Sequence, residues 1–245
     1  VKLDLHTATT VRGANVAFLD YEPRRARGVT LVCGHGYSSS KHNLDFLCAF
    51  LASHGFAILS LDFPGHKLGN SGGRLESVWD LTDAMAAVVA FARARGDATV
   101  YTLGHSMGAT TALRACAADT TLAGAISIAT GYARPAALAA LGGLSGVDLR
   151  SAYVDGLTLQ ELVAQTEPHV DAALAALAGR PVLYVAADRD GMVAMSSARE
   201  LFERAPEPKT FATIASDHTY AAEHARSAVL AWLNERHPRE ARVSA

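Results

Sequence analysis

From Val29 onward the sequence keeps switching between two periods, and few folds tolerate that switching. Short apolar runs read as buried strands: "VTLVCGHG" (29–36), "FAILSLD" (56–62), "DATVYTLG" (97–104), "LAGAISIAT" (122–130), "RPVLYVAA" (180–187) and "KTFATIA" (209–215). Between them, 44–55, 77–96, 107–118, 196–205 and 220–237 carry apolar residues at helical spacing. Strands joined through helices need crossover connections, so the expected fold is α/β, with a mostly parallel central sheet and helices on both faces. The earlier stretches "KLDLHT" and "ANVAFLDYEP" alternate more and predict an antiparallel hairpin at one edge.

One stretch breaks the rhythm. From Gly131 to Gly179 the chain is Ala- and Leu-rich, is punctuated by Gly142-Gly143 and Gly146, and shows helical spacing in "LTLQELVAQTEPHVDAALAALAG". A long insertion between two core strands reads as a small helical cap over a site. The expected organisation is one domain over 1–245 with the cap at 131–179.

Composition narrows the class of partner. With 22 Lys+Arg against 24 Asp+Glu and no basic stripe, nucleic acid is not an expected partner. The "RRAR" cluster at 24–27 reads as a solvated turn. No apolar run reaches the roughly 18 residues a bilayer span needs, and the start lacks the charged-then-apolar pattern of a secretory signal. Cys33, Cys48 and Cys116 lie in apolar segments and are odd in number, which reads as small buried hydrophobes in a reducing, cytoplasmic compartment. The histidines and carboxylates show no zinc-ligand spacing, and "GHG" and "NSGG" fail the full dinucleotide pattern, so neither metal nor cofactor is expected.

Chemistry is signalled by "TLGHSMGATT" (102–111), where Gly104-His105-Ser106-Met107-Gly108 has the form G-x-S-x-G. A strand precedes it and a helix follows, the setting of a nucleophile elbow. The flanking glycines make room for a tight turn that strains the serine backbone. At the helix N-terminus the Met107 N–H is free to hold a developing oxyanion. An alcohol needs a base, and the base needs an orienting acid. His218 follows the last strand, and Asp188 and Asp190 follow the penultimate one, so all three sit where parallel strands end and ligands bind. The chain order is Ser…Asp…His, with either carboxylate as the acid.

With these residues in place the chain resembles the α/β-hydrolase-fold serine hydrolases of the lidded esterase/lipase type over nearly its whole length. "GHG", "LDFPGHKLGNSGG", "GHSMG", "DRDGMV" and "DHTY" carry the resemblance. The family's acid lies three residues before a Val or Ile, which points to Asp190 with Val193 after it. Asp188 is then the runner-up, its other reading a loop-capping carboxylate. The resemblance also implies a second oxyanion donor, the backbone N–H of Tyr37. It makes His35 a structural residue that holds its loop, and leaves the Tyr37 side chain either in the acyl pocket or on the surface.

Two features depart from the family: "DFPGHKLGNS" is two residues longer between its glycines, and 131–179 is short for a cap. Asp62 therefore reads as a structural turn residue, and His66 and Ser71 receive no role. His105 reads as structural packing with its ring pointing away from the serine hydroxyl. His42 and His224 read as exposed or capping residues, and Trp79 and Trp232 as core. The expected activity is hydrolysis of a small-molecule carboxylic ester through an acyl-enzyme on Ser106. A thioesterase, lactonase, amidase or carbon–carbon bond hydrolase would use the same parts. A hydrolase-like ligand-binding module or a contact scaffold would share the fold alone, and the oligomeric state is not encoded in these motifs.

Overall fold

The computed structural model describes residues 1–132 and 149–239. Residues 133–148 of the expected cap lie outside the described residues. The strands are β1 (Lys2–Thr9), β2 (Asn15–Glu22), β3 (Val29–Gly34), β4 (Ala57–Leu61), β5 (Thr99–His105), β6 (Gly124–Ile128), β7 (Val182–Ala187) and β8 (Lys209–Ile214). They form one sheet in the order β1-β2-β4-β3-β5-β6-β7-β8. β2 runs antiparallel to β1 and β4, and all other neighbours are parallel. The expected edge hairpin is present, but Val16 to Tyr21 of β2 are all buried, because β2 lies inside the sheet and its side chains enter the cores on both faces, under α2 and α1.

The helices are α1 (Asp45–Ser53), α2 (Val78–Ala94), α3 (Met107–Ala118), α4 (Leu159–Thr166), α5 (Val170–Ala175), α6 (Met195–Arg204), α7 (Ala221–His224) and α8 (Arg226–Arg236). Alternate side chains of each strand feed two cores, as the two-residue strand period requires. On one face Leu31, Cys33, Leu183 and Val185 pack with Leu47, Leu51 and Trp232 of α1 and α8. On the other, Val32, Val100, Val182 and Tyr184 pack with Met85, Val88, Leu113 and Leu201 of α2, α3 and α6. Cys33, Cys48 and Cys116 are buried thiols within these layers.

The insertion's described part is helical, with α4, a 3₁₀ turn (Glu167–His169) and α5. Thr158 and Glu161 form a capping box at the start of α4. Isolated bridges join His66 to Val154 and Leu75 to Gly156, so the insertion is tied to the loop after β4.

Two local expectations need correction. The stretch 220–237 divides into α7 and α8, because Ala225 sits at φ −70°, ψ −14°, nearer 3₁₀ than α geometry. Trp79 is not core, being 47% exposed. It lies one position round from the buried stripe of Val78, Leu81 and Met85, and its ring covers the Arg114 guanidinium at 4.4 Å. Trp232 is buried as expected.

Candidate active site

Chain direction puts the site between the two central strands. After β3 the chain crosses to β4 on one side, and later returns to β5 on the other. The carboxyl ends of β3 and β5 therefore diverge into a crevice, the place where open α/β sheets bind ligands. Gly34 pairs with Gly104 in register at that point. Ser106 sits between the end of β5 and the start of α3 at φ 54°, ψ −114°, a region costly for any residue with a Cβ. The glycines are dictated by close approach. A Cβ on Gly104 would lie 1.9 Å from the Gly108 carbonyl oxygen, and one on Gly108 2.1 Å from that of Gly34. The Ser106 N–H donates to the Ile128 carbonyl at 2.9 Å, which anchors the turn to β6.

The serine hydroxyl meets His218 Nε2 at 3.0 Å, and His218 Nδ1 meets Asp190 Oδ2 at 2.8 Å. His218 comes from the loop after β8 and Asp190 from the loop after β7. Asp190 Oδ1 accepts the N–H groups of Met192 and Val193, each at 2.8 Å. Burial alone would raise the Asp190 pKa. The bond to His218, its charge and the two backbone donors outweigh that and hold it below the ordinary carboxylate value. An ionised Asp190 keeps the proton on Nδ1, so Nε2 is the acceptor for the serine hydroxyl. Asp188 faces elsewhere, accepting the Ser216 N–H at 3.0 Å, the loop-capping arrangement.

The loop after β3 is braced from beneath. His35 is fully buried, and its Nε2 accepts the Phe63 N–H at 3.0 Å. Its Nδ1 then carries the proton and donates to the Gly36 carbonyl at 2.8 Å. Burial, reinforced by neighbouring His66, lowers the His35 pKa to about 3, so the ring stays neutral. The Gly36 carbonyl and the Tyr37 N–H are opposite ends of one trans peptide, so pinning the first aims the second away from His35. Gly36 borders the serine: a Cβ there would be 3.5 Å from Ser106 Cβ. The Tyr37 side chain is buried, which removes the surface alternative. Its hydroxyl donates to the Leu157 carbonyl at 2.8 Å and accepts from the Ser151 hydroxyl at 3.3 Å, reaching into the insertion.

The long loop after β4 is held by a buried ion pair that sequence reading missed. Asp62 accepts Lys41 Nζ at 2.5 Å and the N–H groups of Lys41 and Asn70 at 2.8 Å each. Burial would raise the Asp62 pKa, but the Lys41 bond and the backbone donors win and lower it. Ser71 donates to the Asp62 carbonyl at 2.7 Å and accepts the Ala17 N–H at 2.8 Å, so it fastens the loop to β2. A Cβ on Gly69 would strike the Asp62 carboxyl carbon at 2.5 Å. His66 is buried, with its ring against His35 at 4.9 Å and Tyr37 at 5.9 Å; burial pushes its pKa down to about 4.

His105 does more than pack. Its Nε2 donates to the His218 backbone carbonyl at 2.8 Å, and its ring lies 5.0 Å from the His218 ring. A residue beside the elbow thus supports the loop that brings the base. His42 and His224 are exposed, as expected. Above Ser106 and His218 lies a cavity of about 280 Å³, bordered by Tyr37 and by Arg150, Tyr153 and Leu159 of the insertion. Among the described residues no cluster of His, Cys, Asp or Glu could hold a metal ion, and no helix is long and apolar enough to cross a membrane.

An eight-stranded, mostly parallel sheet flanked by helices, with a strained serine on the turn after a central strand, defines an α/β hydrolase. Residues 24–170 match the family model described as serine aminopeptidase, S33, and the chain belongs to this family. That match ends before Asp190 and His218. No protein of curated function matches the chain in sequence. Solved structures share the fold at low identity. An esterase of Pyrococcus furiosus superposes with a TM-score of 0.77 at 19% identity, covering 96% of this chain and 91% of that one. An α/β hydrolase of a Penicillium species gives 0.71 at 16%, with 97% and 99% covered. A cold-adapted esterase from an Arctic intertidal metagenomic library gives 0.70 at 17%, with 96% and 94% covered.

Proposed function

We propose that the chain is a serine esterase that cleaves carboxylic esters through an acyl-enzyme on Ser106. The observation that carries this reading is the unbroken chain Asp190–His218–Ser106, whose serine end faces the cavity. His218 Nε2 takes the hydroxyl proton as Oγ attacks the ester carbonyl, and Asp190 stabilises the imidazolium that forms. The N–H groups of Tyr37 and Met107 hold the oxyanion, a contribution of about 3 kcal/mol per donor in such sites. His218 then protonates the departing alcohol and activates water to release the acid. The insertion 131–179 acts as the cap.

An ester is favoured over the amino-terminal peptide that the family description suggests. A site for a free α-ammonium group needs carboxylates facing it. Among the described residues the cavity lining has none, and it presents Arg150 instead. The esterase names of two of the three structural relatives agree with this choice.

A fluorophosphonate probe should label the wild-type chain, and Ser106→Ala should remove both the label and hydrolysis of short p-nitrophenyl esters. The expected loss is about 10⁶-fold in kcat with an unchanged melting curve. Wild-type-like turnover in that variant would end the assignment, and tight ligand binding without labelling would favour a binding module.

A further inference from the structure

We infer that the substrate carries a carboxylate and that Arg150 recognises it. This rests on the esterase reading, and deepens it by naming the substrate class. Arg150 borders the same cavity as Ser106 and His218, and it is the one charged side chain other than histidine among the described residues lining it. Acidic residues outnumber basic ones in the whole chain, 24 to 22, yet none of the described acids lines this cavity.

Among the described residues, the carboxylates of the surrounding segments are engaged elsewhere. Asp155 pairs with Arg74 at 2.9 Å, and Glu161 accepts the Thr158 N–H at 2.9 Å at the start of α4. Asp45 is held by the Tyr21 hydroxyl and by His42. Asp217, next to His218, accepts the Tyr220 N–H at 3.0 Å. A second cation touches the same segment: Lys67 Nζ donates to the Ala152 carbonyl at 2.8 Å, two residues beyond Arg150.

Arg150 is exposed in the free chain, so water satisfies its guanidinium; a substrate that covers it displaces that water and must supply an acceptor in its place. A carboxylate offers the planar two-oxygen partner that a guanidinium fork matches best. Leu68, Leu159 and Met192 make much of the remaining wall apolar. The cavity therefore suits an amphipathic monoanion, with an apolar body and one carboxylate placed away from the scissile ester.

The test compares matched neutral and anionic esters. On the acyl side p-nitrophenyl butyrate is set against the p-nitrophenyl monoester of succinate. On the alcohol side phenyl acetate is set against 4-carboxyphenyl acetate. The readout is the anionic-to-neutral ratio of kcat/KM in each variant relative to wild type, which cancels intrinsic reactivity. Arg150→Ala should lower that ratio about tenfold for one pair, and so reveal which side carries the charge. Arg150→Glu should lower it further, and Arg150→Lys should retain part of it. An unchanged ratio for both pairs overturns the inference.

A second measurement needs no turnover. Calorimetric titration of 4-phenylbutyrate against 4-phenylbutyramide should show tighter binding of the carboxylate by wild type, and the difference should vanish in Arg150→Ala. Equal affinities in wild type overturn the inference too. Failure of the esterase reading appears separately, as neutral-ester hydrolysis that is absent or insensitive to Ser106→Ala.

Discussion

Asp190 and Asp62 are both buried carboxylates that hold a basic side chain, at 2.8 Å for His218 Nδ1 and 2.5 Å for Lys41 Nζ. Each accepts two backbone N–H groups as well, and in each these partners overcome burial to keep the carboxylate ionised. They differ in what lies beyond the base. His218 passes the polarity on to a serine hydroxyl that faces a cavity. Lys41 ends on the Asn70 side chain at 3.0 Å and is sealed, with 1% of its side chain exposed. On the proposed function, similar electrostatics builds a reactive chain where the base can exchange a proton with a ligand. It builds only architecture where the base is a strong cation closed off from solvent.

Of the effects that bear on this comparison, the largest separates the two acids flanking Arg189. Asp190→Asn should lower kcat/KM for a p-nitrophenyl ester by about 10⁴-fold, because His218 then loses the partner that fixes its tautomer. Asp188→Asn, which touches the 216 loop and the exposed Arg189 but not His218, should cost less than tenfold. Equal losses would break the distinction between the Asp190 chain and its surroundings.

Next comes the sealed pair. Asp62→Ala leaves Lys41 buried without a counter-charge and should cost about 3–5 kcal/mol of unfolding free energy in urea. Pairing Asp62→Leu with Lys41→Met should recover most of that, since no charge is then left behind. A loss under about 1 kcal/mol in the single variant would contradict the sealed-pair account.

The smallest effect is in pH. The folded Asp62 pKa lies below its ordinary value of 3.8. Its contribution to stability is therefore complete above that value and is lost as pH falls through the lower folded one. Wild type should lose its advantage over Asp62→Asn below about pH 4, in urea titrations at graded pH. An advantage that persisted unchanged to pH 2 would mean the carboxylate is not held ionised.

The candidate site was more legible in the sequence than its supports were. The elbow shows locally, because two glycines, a serine, a preceding apolar run and a following helix lie within about twenty residues. Helix α3 runs over Met107–Ala118, the residues the spacing indicates. His218 and the pair Asp188 and Asp190 stood out because parallel strands deliver their following loops to one edge, so position after a strand carries spatial meaning, and the family spacing favoured Asp190 of the two. Lys41 had no such signal: a lysine in "SSSK" looks solvated, and only the return of the 62–73 loop over it makes it core. Trp79 failed in the opposite direction, since helical spacing identifies a buried stripe but not whether its neighbour is covered. His105 was read by its place next to the serine, whereas its partner is a carbonyl 113 residues later in the chain.

What the sequence determined by itself was the alternation that makes a parallel sheet, the glycine-flanked serine and the chain order of the three polar residues. These follow from period, steric allowance and connectivity, all of which act over short stretches. Reading the residues alone left Asp188 and Asp190 both open, and the family spacing favoured Asp190; tertiary structure supplied the contact of Asp190 with His218, the sealing of Asp62 by Lys41, and the place of Arg150 at a cavity that no carboxylate among the described residues lines. Each of these depends on which distant segment comes to lie within about 3 Å, a matter of loop paths and packing that short-range patterns do not carry.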